Sequence, residues 1–476
     1  MTSTNVTTST NTLGASVLAG VVSGLNTSAL VAATIASESG PKDALTKQVS
    51  TDNTLLTALQ KLNTSFATLA TQATADAAPN AWNVFTASSS DSSVSATTTT
   101  DASAGTVSFS VNSVAAAQVI VTAPFQNSST TPTFTIVGST GTQVEIHPAS
   151  GAIADIVTAI NQSSAGVSAI AVASGQDAAS GAALYRLQLT SSHTGASGAF
   201  GIFRGSSTDV SAGTAPNLLS EAGAATIQSA SDASVTLWAG TAAAQTVTAS
   251  SNTFANLLPG VSVTVSKVST APVTLTVAQD TTTITNAASS LIAGVDSLLQ
   301  SIASSSAVTS STDASGNTTT SGGPFTGDSL IRNTAYSLFT ALTQPINGVS
   351  PSTIGVTINN DGSVTFDAAK FQAALSSDPN GTHAMMQSIS SAVAAQATAQ
   401  SDPISGALTS RVSSLTSDIK GLNSQVAAWT TQLSTRQAAL EAAYAAMETQ
   451  LSALKTQSNW LSQQFPTTIN SNGTAG

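Results

Sequence analysis

The chain has 476 residues, only 7% of them charged, a formal net charge of −11 and no cysteine. Its 12 Lys and Arg lie singly along the sequence, so no basic stripe exists to neutralise phosphates and nucleic acid is excluded as a partner. The missing thiols exclude disulfides, thiolate metal sites and cysteine nucleophiles, and the length suffices for about three or four domains kept soluble by Ser and Thr rather than by charge.

Residues 1–12 are Ser, Thr and Asn with almost nothing to bury, and are expected to be unstructured. The small-residue apolar stretch Leu13 to Leu25 lacks a basic leader, since the first Lys or Arg is Lys42, and it is shorter than the ~20 residues a bilayer requires. Neither a cleaved signal peptide nor a membrane span is therefore expected. Asn26 or Thr27 caps a short predicted helix carrying Leu30, Val31 and Ile35, which Gly40-Pro41 closes with a hinge at Gly40. A second helix, from Pro41 to Thr74, carries Leu45, Val49, Leu55, Leu59, Leu62, Phe66 and Leu69 in steps of threes and fours.

From Trp82 the period changes to two. Val107, Phe109 and Val111 alternate with hydroxyls, Val119 and Val121 follow, and Phe134, Ile136 and Val144, Ile146 flank the turn Gly138 to Gly141. One helix, Ala152 to Gln162, is inserted among further strands at Val167–Val172, Leu184–Leu189, Val235–Trp238, Val247, Val261–Val265 and Val273–Val277. Close turn signals predict antiparallel sheets.

Helical spacing returns after Asp280 at Ile284, Leu291, Val295, Leu298 and Ile302; Ser304 to Gly323 reads as a flexible loop, and Asp328 to Leu342 as a helix. Asp361-Gly362 between alternating apolar residues predicts a hairpin, after which Asp367 caps another helix. From Ile404 to Phe465 no proline interrupts the sequence, and Leu408, Val412, Leu415, Ile419, Leu422, Val426, Trp429 and Leu433 alternate in fours and threes, the pattern of a coiled-coil seam. Arg436 takes the next seam position, and the stripe resumes as Leu440, Tyr444, Met447, Leu451, Leu454, Leu461 and Phe465, with a stutter around Leu440. Seams at both ends of one chain, on Leu45 to Leu69 and Leu408 to Leu433, predict that the ends come together and the middle loops out.

Candidate chemistry dissolves on inspection. Gly327-Asp328-Ser329-Leu330 spells a hydrolase motif, but the serine is inert without a base, and no Asp-x-x-His stands near the C-terminus. Asp328 is better read as a helix cap. His147, His193 and His383 are far apart, without partners at metal-ligand spacing, and read as loop or surface residues. Gly195, Gly198 and Gly201 miss the dinucleotide fingerprint, and Asn359 to Gly362 lacks the later acid of a calcium loop. Asn26-Thr27-Ser28 and Asn317-Thr318-Thr319 match only the three-residue glycosylation acceptor. No cofactor, metal site or enzymatic activity is expected.

Several stretches in order resemble the flagellar hook-associated protein 2 family: Ser23-Gly-Leu-Asn-Thr-Ser-Ala-Leu30, Val111-Asn-Ser-Val-Ala-Ala-Ala-Gln118, Tyr185 to Ser191, Gly260 to Thr264, Phe325-Thr-Gly-Asp-Ser-Leu330, Asp361 to Asp367 and the C-terminal rod. The resemblance implies an extracellular cap at the distal tip of the bacterial flagellum, exported by the flagellar type III route and promoting insertion of flagellin. The partners it implies are other copies in a pentamer-like ring, flagellin, hook-filament junction proteins and an export chaperone. Its terminal helices would be legs, with Leu30, Ile35, Leu440, Tyr444, Met447, Leu451, Leu454, Leu461 and Phe465 facing the filament, divided from the paired part near Arg436. The alternatives are another axial protein, such as a hook-filament junction protein, or an adhesin binding glycans through its β domains.

The fold class expected is α+β multidomain, with long coiled-coil helices from both chain ends and antiparallel β-rich domains between them. The expected division is 1–40 with 435–476 as legs, 41–105 with 284–434 as a helical domain bearing a hairpin, 106–130 with 225–283 as a β-rich domain, and 131–224 as a β-rich insertion with one helix.

Overall fold

The computed structural model describes residues 8–10, 16–18 and 23–464, apart from 270, 313 and 360. Its helices are α1 (Thr27–Glu38), α2 (Gly40–Asp76), α3 (Ile153–Gln162), α4 (Ser207–Ser211), α5 (Thr281–Ser306), α6 (Ser329–Thr343), α7 (Ala368–Ser377), α8 (Pro379–Ser401) and α9 (Ala407–Gln464). Every strand pairing among the described residues is antiparallel. As far as they are described, the residues form two compact units: Met1–Ala77 with Ser289–Lys370 and Ser388–Gly476, and Ala78–Ala288 with Phe371–Gln387.

The first unit is built on α2, whose buried Leu59, Leu62, Phe66, Leu69 and Ala73 keep the predicted steps of three and four. Pro41 has no N–H for the carbonyl of Ser37, which ends α1. Gly40, expected as a hinge, is instead the first residue of α2, and only Ser39, itself right-handed at φ −77°, separates the two helices. Asp328 caps α6, its Oδ1 accepting from the N–H groups of Leu330 at 2.9 Å and Ile331 at 3.3 Å. The Asp361-Gly362 hairpin forms between Val356–Ile358 and Val364–Phe366 and is tied to α5 by the Val364 N–H, which donates to Asp296 Oδ1 at 2.8 Å.

Two expectations in this unit are corrected. Ser304 to Gly323 is not a structureless loop: Val308–Thr312 pairs with Thr318–Gly322 as a fully exposed hairpin. Threonine is β-branched and favours strands, a preference that a low-complexity reading overlooks. Likewise Thr8–Thr10 pairs with Ser16–Leu18, where residues 1–12 were expected to be unstructured.

The second unit holds two cores. One lies between the sheet ordered Gln245–Ala249, Ala233–Leu237, Gly105–Ser113, Val273–Gln279, Phe85–Ser89 and the sheet ordered Thr253–Leu258, Val261–Val265, Val94–Thr98. Phe109, Val111, Val235, Val263 and Leu275 fill it, and the alternation Val107, Phe109, Val111 points inward as read. Phe85–Ser89 and Val94–Thr98, placed by sequence with the helical segment, pair here instead.

The other core, around Ile120, Phe134, Ile160, Leu187 and Ile202, is closed by α3. Ala117–Val121 and Ala225–Gln228 pair in its sheet, although the sequence assigns them to the first β-rich segment. Periodicity identifies a strand but not its neighbour. The two cores meet at a neck where Ala116 and Ser231 bond to each other in both directions, at 2.9 and 3.2 Å.

His383, read as a loop or surface residue, is half-buried in α8. Its Nδ1 lies 3.1 Å from Asn83 Oδ1 and its Nε2 2.8 Å from Gln279 Nε2, which suits a neutral ring donating through Nδ1–H. Burial lowers its pKa below the ordinary value. A base whose folded pKa is depressed stabilises the fold fully above its unfolded pKa of about 6.5 and loses that stability as pH falls towards the folded value. We expect the melting temperature to decline from pH 7 to 5 and His383→Gln to flatten the decline. Asp91, Asp209 and Asp280 are held below the ordinary carboxylate range by hydrogen bonds from Ser93, Ser206 and Thr283, which moves them away from this window. Equal slopes in a calorimetric series would remove His383 as the source.

Candidate functional site

The site with functional potential is the set of terminal helices. α9 has 58 residues, a rod of about 87 Å at the usual rise per residue. It packs against both α2 and α1. Three polar contacts fix the direction: Asn63 Nδ2 donates to Thr409 Oγ1 at 3.3 Å, Arg436 Nε lies 3.4 Å from Glu38 Oε1, and Ser23 N–H donates to Glu448 Oε2 at 3.3 Å. As the N-terminal partner moves from Asn63 through Glu38 to Ser23, the partner on α9 moves towards the C-terminus, so α1 and α2 run antiparallel to α9.

Burial varies along the seam. Leu59, Leu62 and Phe66 on α2 and Leu408, Leu415 and Ile419 on α9 are buried. Leu45, Val49, Val412, Leu422, Val426 and Trp429 are only half-buried, since two helices alone shield one side of each stripe. Leu433 is again buried, near the joint between α1 and α2. Arg436 follows it on the seam and turns outward to Glu38; both side chains are more than a third exposed, so the pair contributes no more than about 1 kcal/mol.

Beyond Arg436 the structure refines the expected division. Ile35, Leu440, Tyr444, Met447 and Leu451 are half-buried, and α1 lies along α9 as far as Glu448, so the outer half is not bare from Leu440 onward. Among the described residues the exposed part begins after Leu451: Leu454, Trp460 and Leu461 are 60%, 58% and 53% exposed. Leu30, on α1, is 45% exposed. Phe465 lies outside the described residues.

Sequence reasoning missed Trp460, which is one residue off the seam, and the Ser23–Glu448 contact. The only signal for the latter was an acid flanking the stripe, beside Met447.

Ser329 is the first residue of α6, behind its cap Asp328, and among the described residues no group of three His, Cys, Asp or Glu is placed to hold a metal ion. No described helix is long and apolar enough to cross a membrane. What this arrangement offers is a long, weakly charged, partly covered apolar rod.

Sequence profiles describing the flagellar hook-associated protein 2 N-terminus and C-terminus match residues 23–118 and 230–456, together about two thirds of the chain. The crystal structure of the flagellar cap protein FliD D1-D2-D3 domains from Escherichia coli is 22% identical and aligns over 75% of this chain and 99% of its own with a TM-score of 0.58, a shared fold. FliD (HAP2) from Pseudomonas aeruginosa PAO1, 25% identical over 45% of this chain and 97% of its own, gives 0.35. The FliD D2-D3 domains from Escherichia coli, 26% identical over 41% of this chain and the whole of their own, give 0.33. No curated protein matches the chain by sequence.

Proposed function

Since the chain belongs to the flagellar hook-associated protein 2 family, we propose that it is a flagellar cap protein that helps exported flagellin fold and insert at the filament tip. The observation that carries this reading is the end of α9, where Leu454, Trp460 and Leu461 stand exposed beyond the cover of α1. An uncovered apolar rod end is a contact surface for other helices.

Its strength suits a contact that must be renewed. Each large apolar side chain gains about 1.5–3 kcal/mol on full burial, while ordering a chain segment costs roughly 1–2 kcal/mol per residue. Three such side chains hold a neighbour without fixing it, so the leg can release and rebind as each subunit is added. Several copies form the ring, the legs reach into the filament end towards flagellin and the junction proteins, and the chain leaves the cell by the flagellar export route after release from its chaperone.

The test is genetic. A strain lacking the protein should release unpolymerised flagellin into the medium and carry short or absent filaments. Full-length filaments with no flagellin in the medium would refute the reading.

A further inference from the structure

In the second unit the lobe around Phe134 is joined to the body around Phe109 by two crossings of the chain, paired at Ala116 and Ser231. Two crossings linked by a single bridge make a weak ribbon that bends and twists, since an isolated two-stranded pairing is marginal in water. A further contact at this neck does not pass through the bridge. It is made by the turn Thr194–Gly195–Ala196, at the end of the lobe's strand Ala183–Thr194.

Thr194 Oγ1 donates to the Ser250 carbonyl at 2.8 Å, and the Ala196 N–H donates to Asp232 Oδ1 at 2.7 Å. Both acceptors belong to the body: Ser250 follows Gln245–Ala249 and Asp232 precedes Ala233–Leu237. Gly195 is buried between these two contacts, at φ +86°, and its N–H donates to Ala116 O at 3.2 Å. A Cβ at Gly195 would stand 2.5 Å from the Ser250 carbonyl oxygen and 2.6 Å from Ser250 Cα. The lobe's backbone thus rests directly on the body's backbone, at a position whose left-handed conformation also favours glycine.

The body's side of the contact is held in turn. Asn252 Oδ1 accepts from the Ala115 N–H at 2.6 Å, and its Nδ2 donates to Ala115 O at 3.2 Å. Ser113 Oγ donates to Asp232 O at 2.9 Å. One short segment, Ser250 to Asn252, therefore grips both the strand that enters the lobe and the lobe's own turn. A piece attached along one line can rotate about that line, and an independent contact removes the freedom. The Ala196 bond, with an ionised acceptor, is its strongest member. We propose that Thr194–Gly195–Ala196 is a latch that locks the lobe on the body, so that the two cores of this unit move as one rigid piece. A load taken up by the lobe then reaches the body instead of being absorbed by bending at the neck.

The latch is a property of the chain alone, so its test needs no filament and its outcome is separate from that of the capping test. Electron spin resonance reads the distance between labels on the purified full-length protein at Thr158→Cys, exposed on α3 of the lobe, and Ser88→Cys, exposed on Phe85–Ser89 of the body, in a chain with no other cysteine. This parent should give one narrow distance, and Gly195→Ala a broadened or split one. In Asp232→Ala the Ala196 amide should exchange roughly 10- to 100-fold faster, while the amides of Phe134–Gly138 and Phe200–Arg204, paired in the lobe's core, keep their protection. A broad distance in the parent, a single narrow distance in Gly195→Ala, or unchanged exchange at Ala196 would each overturn the latch. Should Gly195→Ala strip the core amides of protection, Thr194→Val combined with Asp232→Ala, which adds no bulk to the joint, decides by the same distance.

Discussion

Truncation after Thr435 is expected to abolish capping and release α1 while the strands of the second unit stay folded. The deletion removes Arg436, Glu448 and the exposed Leu454, Trp460 and Leu461 together. It also removes the surface on which α1 lies. α1 has 12 residues and buries only Thr27 and Val31, and an isolated helix shorter than about 12–15 residues is marginal in water. Its amides should therefore lose protection altogether. The inner seam, from Leu408 to Leu433 opposite α2, is retained, and the cores around Phe109 and Phe134 contain no residue of α9. Circular dichroism should show a loss of helix only, hydrogen exchange should leave Val107–Val111 protected, and cells should release flagellin. Wild-type filament growth with the truncated chain would show that the outer half of the rod has no part in capping.

Replacing Phe134 by alanine should destabilise the second unit by about 3–5 kcal/mol, the range for emptying a buried aromatic site. Phe134 is fully buried and its ring meets Phe125 edge-on at 6.3 Å and 79°. Arg204 stands over both rings, at 5.2 and 5.9 Å, and its Nη2 is 3.3 Å from Glu221. Removal of the ring therefore opens a cavity and leaves the guanidinium with one aromatic face instead of two. Phe125→Ala, at a half-buried position, should cost less. Urea-dependent hydrogen exchange of the amides of Phe134–Gly138 and Phe200–Arg204, which pair in that core, would measure both. A loss below about 1 kcal/mol for Phe134→Ala would mean that the sheet collapses onto the space.

The helices were legible because a buried helix face repeats every three or four residues whatever it packs against, and Leu59 to Ala73 and Leu408 to Leu433 show that repeat plainly. The strands with a buried, alternating face were legible one at a time but not in their pairing, and Phe200–Arg204, Ala225–Gln228 and Thr253–Leu258 were not read as strands at all. Nothing in Phe85–Ser89 announces Val273–Gln279, far along the chain, because an alternating pattern records which face is buried and not which neighbour lies beside it. The hairpin of Val308–Thr312 and Thr318–Gly322 was hidden by its hydroxyls: with no buried side chain it leaves no hydrophobic trace. The Ser23–Glu448 contact was hidden for a related reason. A single serine and a single glutamate at opposite ends of a chain carry no periodic signal, and only the packing of α1 on α9 brings them together.

The neck between the two cores of the second unit has a consequence for how such a protein can vary. Ala116 and Ser231 face each other as one antiparallel bridge, bonded both ways, so the chain enters and leaves the lobe around Phe134 through one pair of facing residues, with Thr194 Oγ1 donating to Ser250 O beside them. A short turn could join those two residues without stretching either strand. The lobe between them, with its own core around Phe134 and Ile160, is in effect a cassette: it can be shortened, enlarged or exchanged while the body that carries it keeps the same seams, the same sheet order and the same rod.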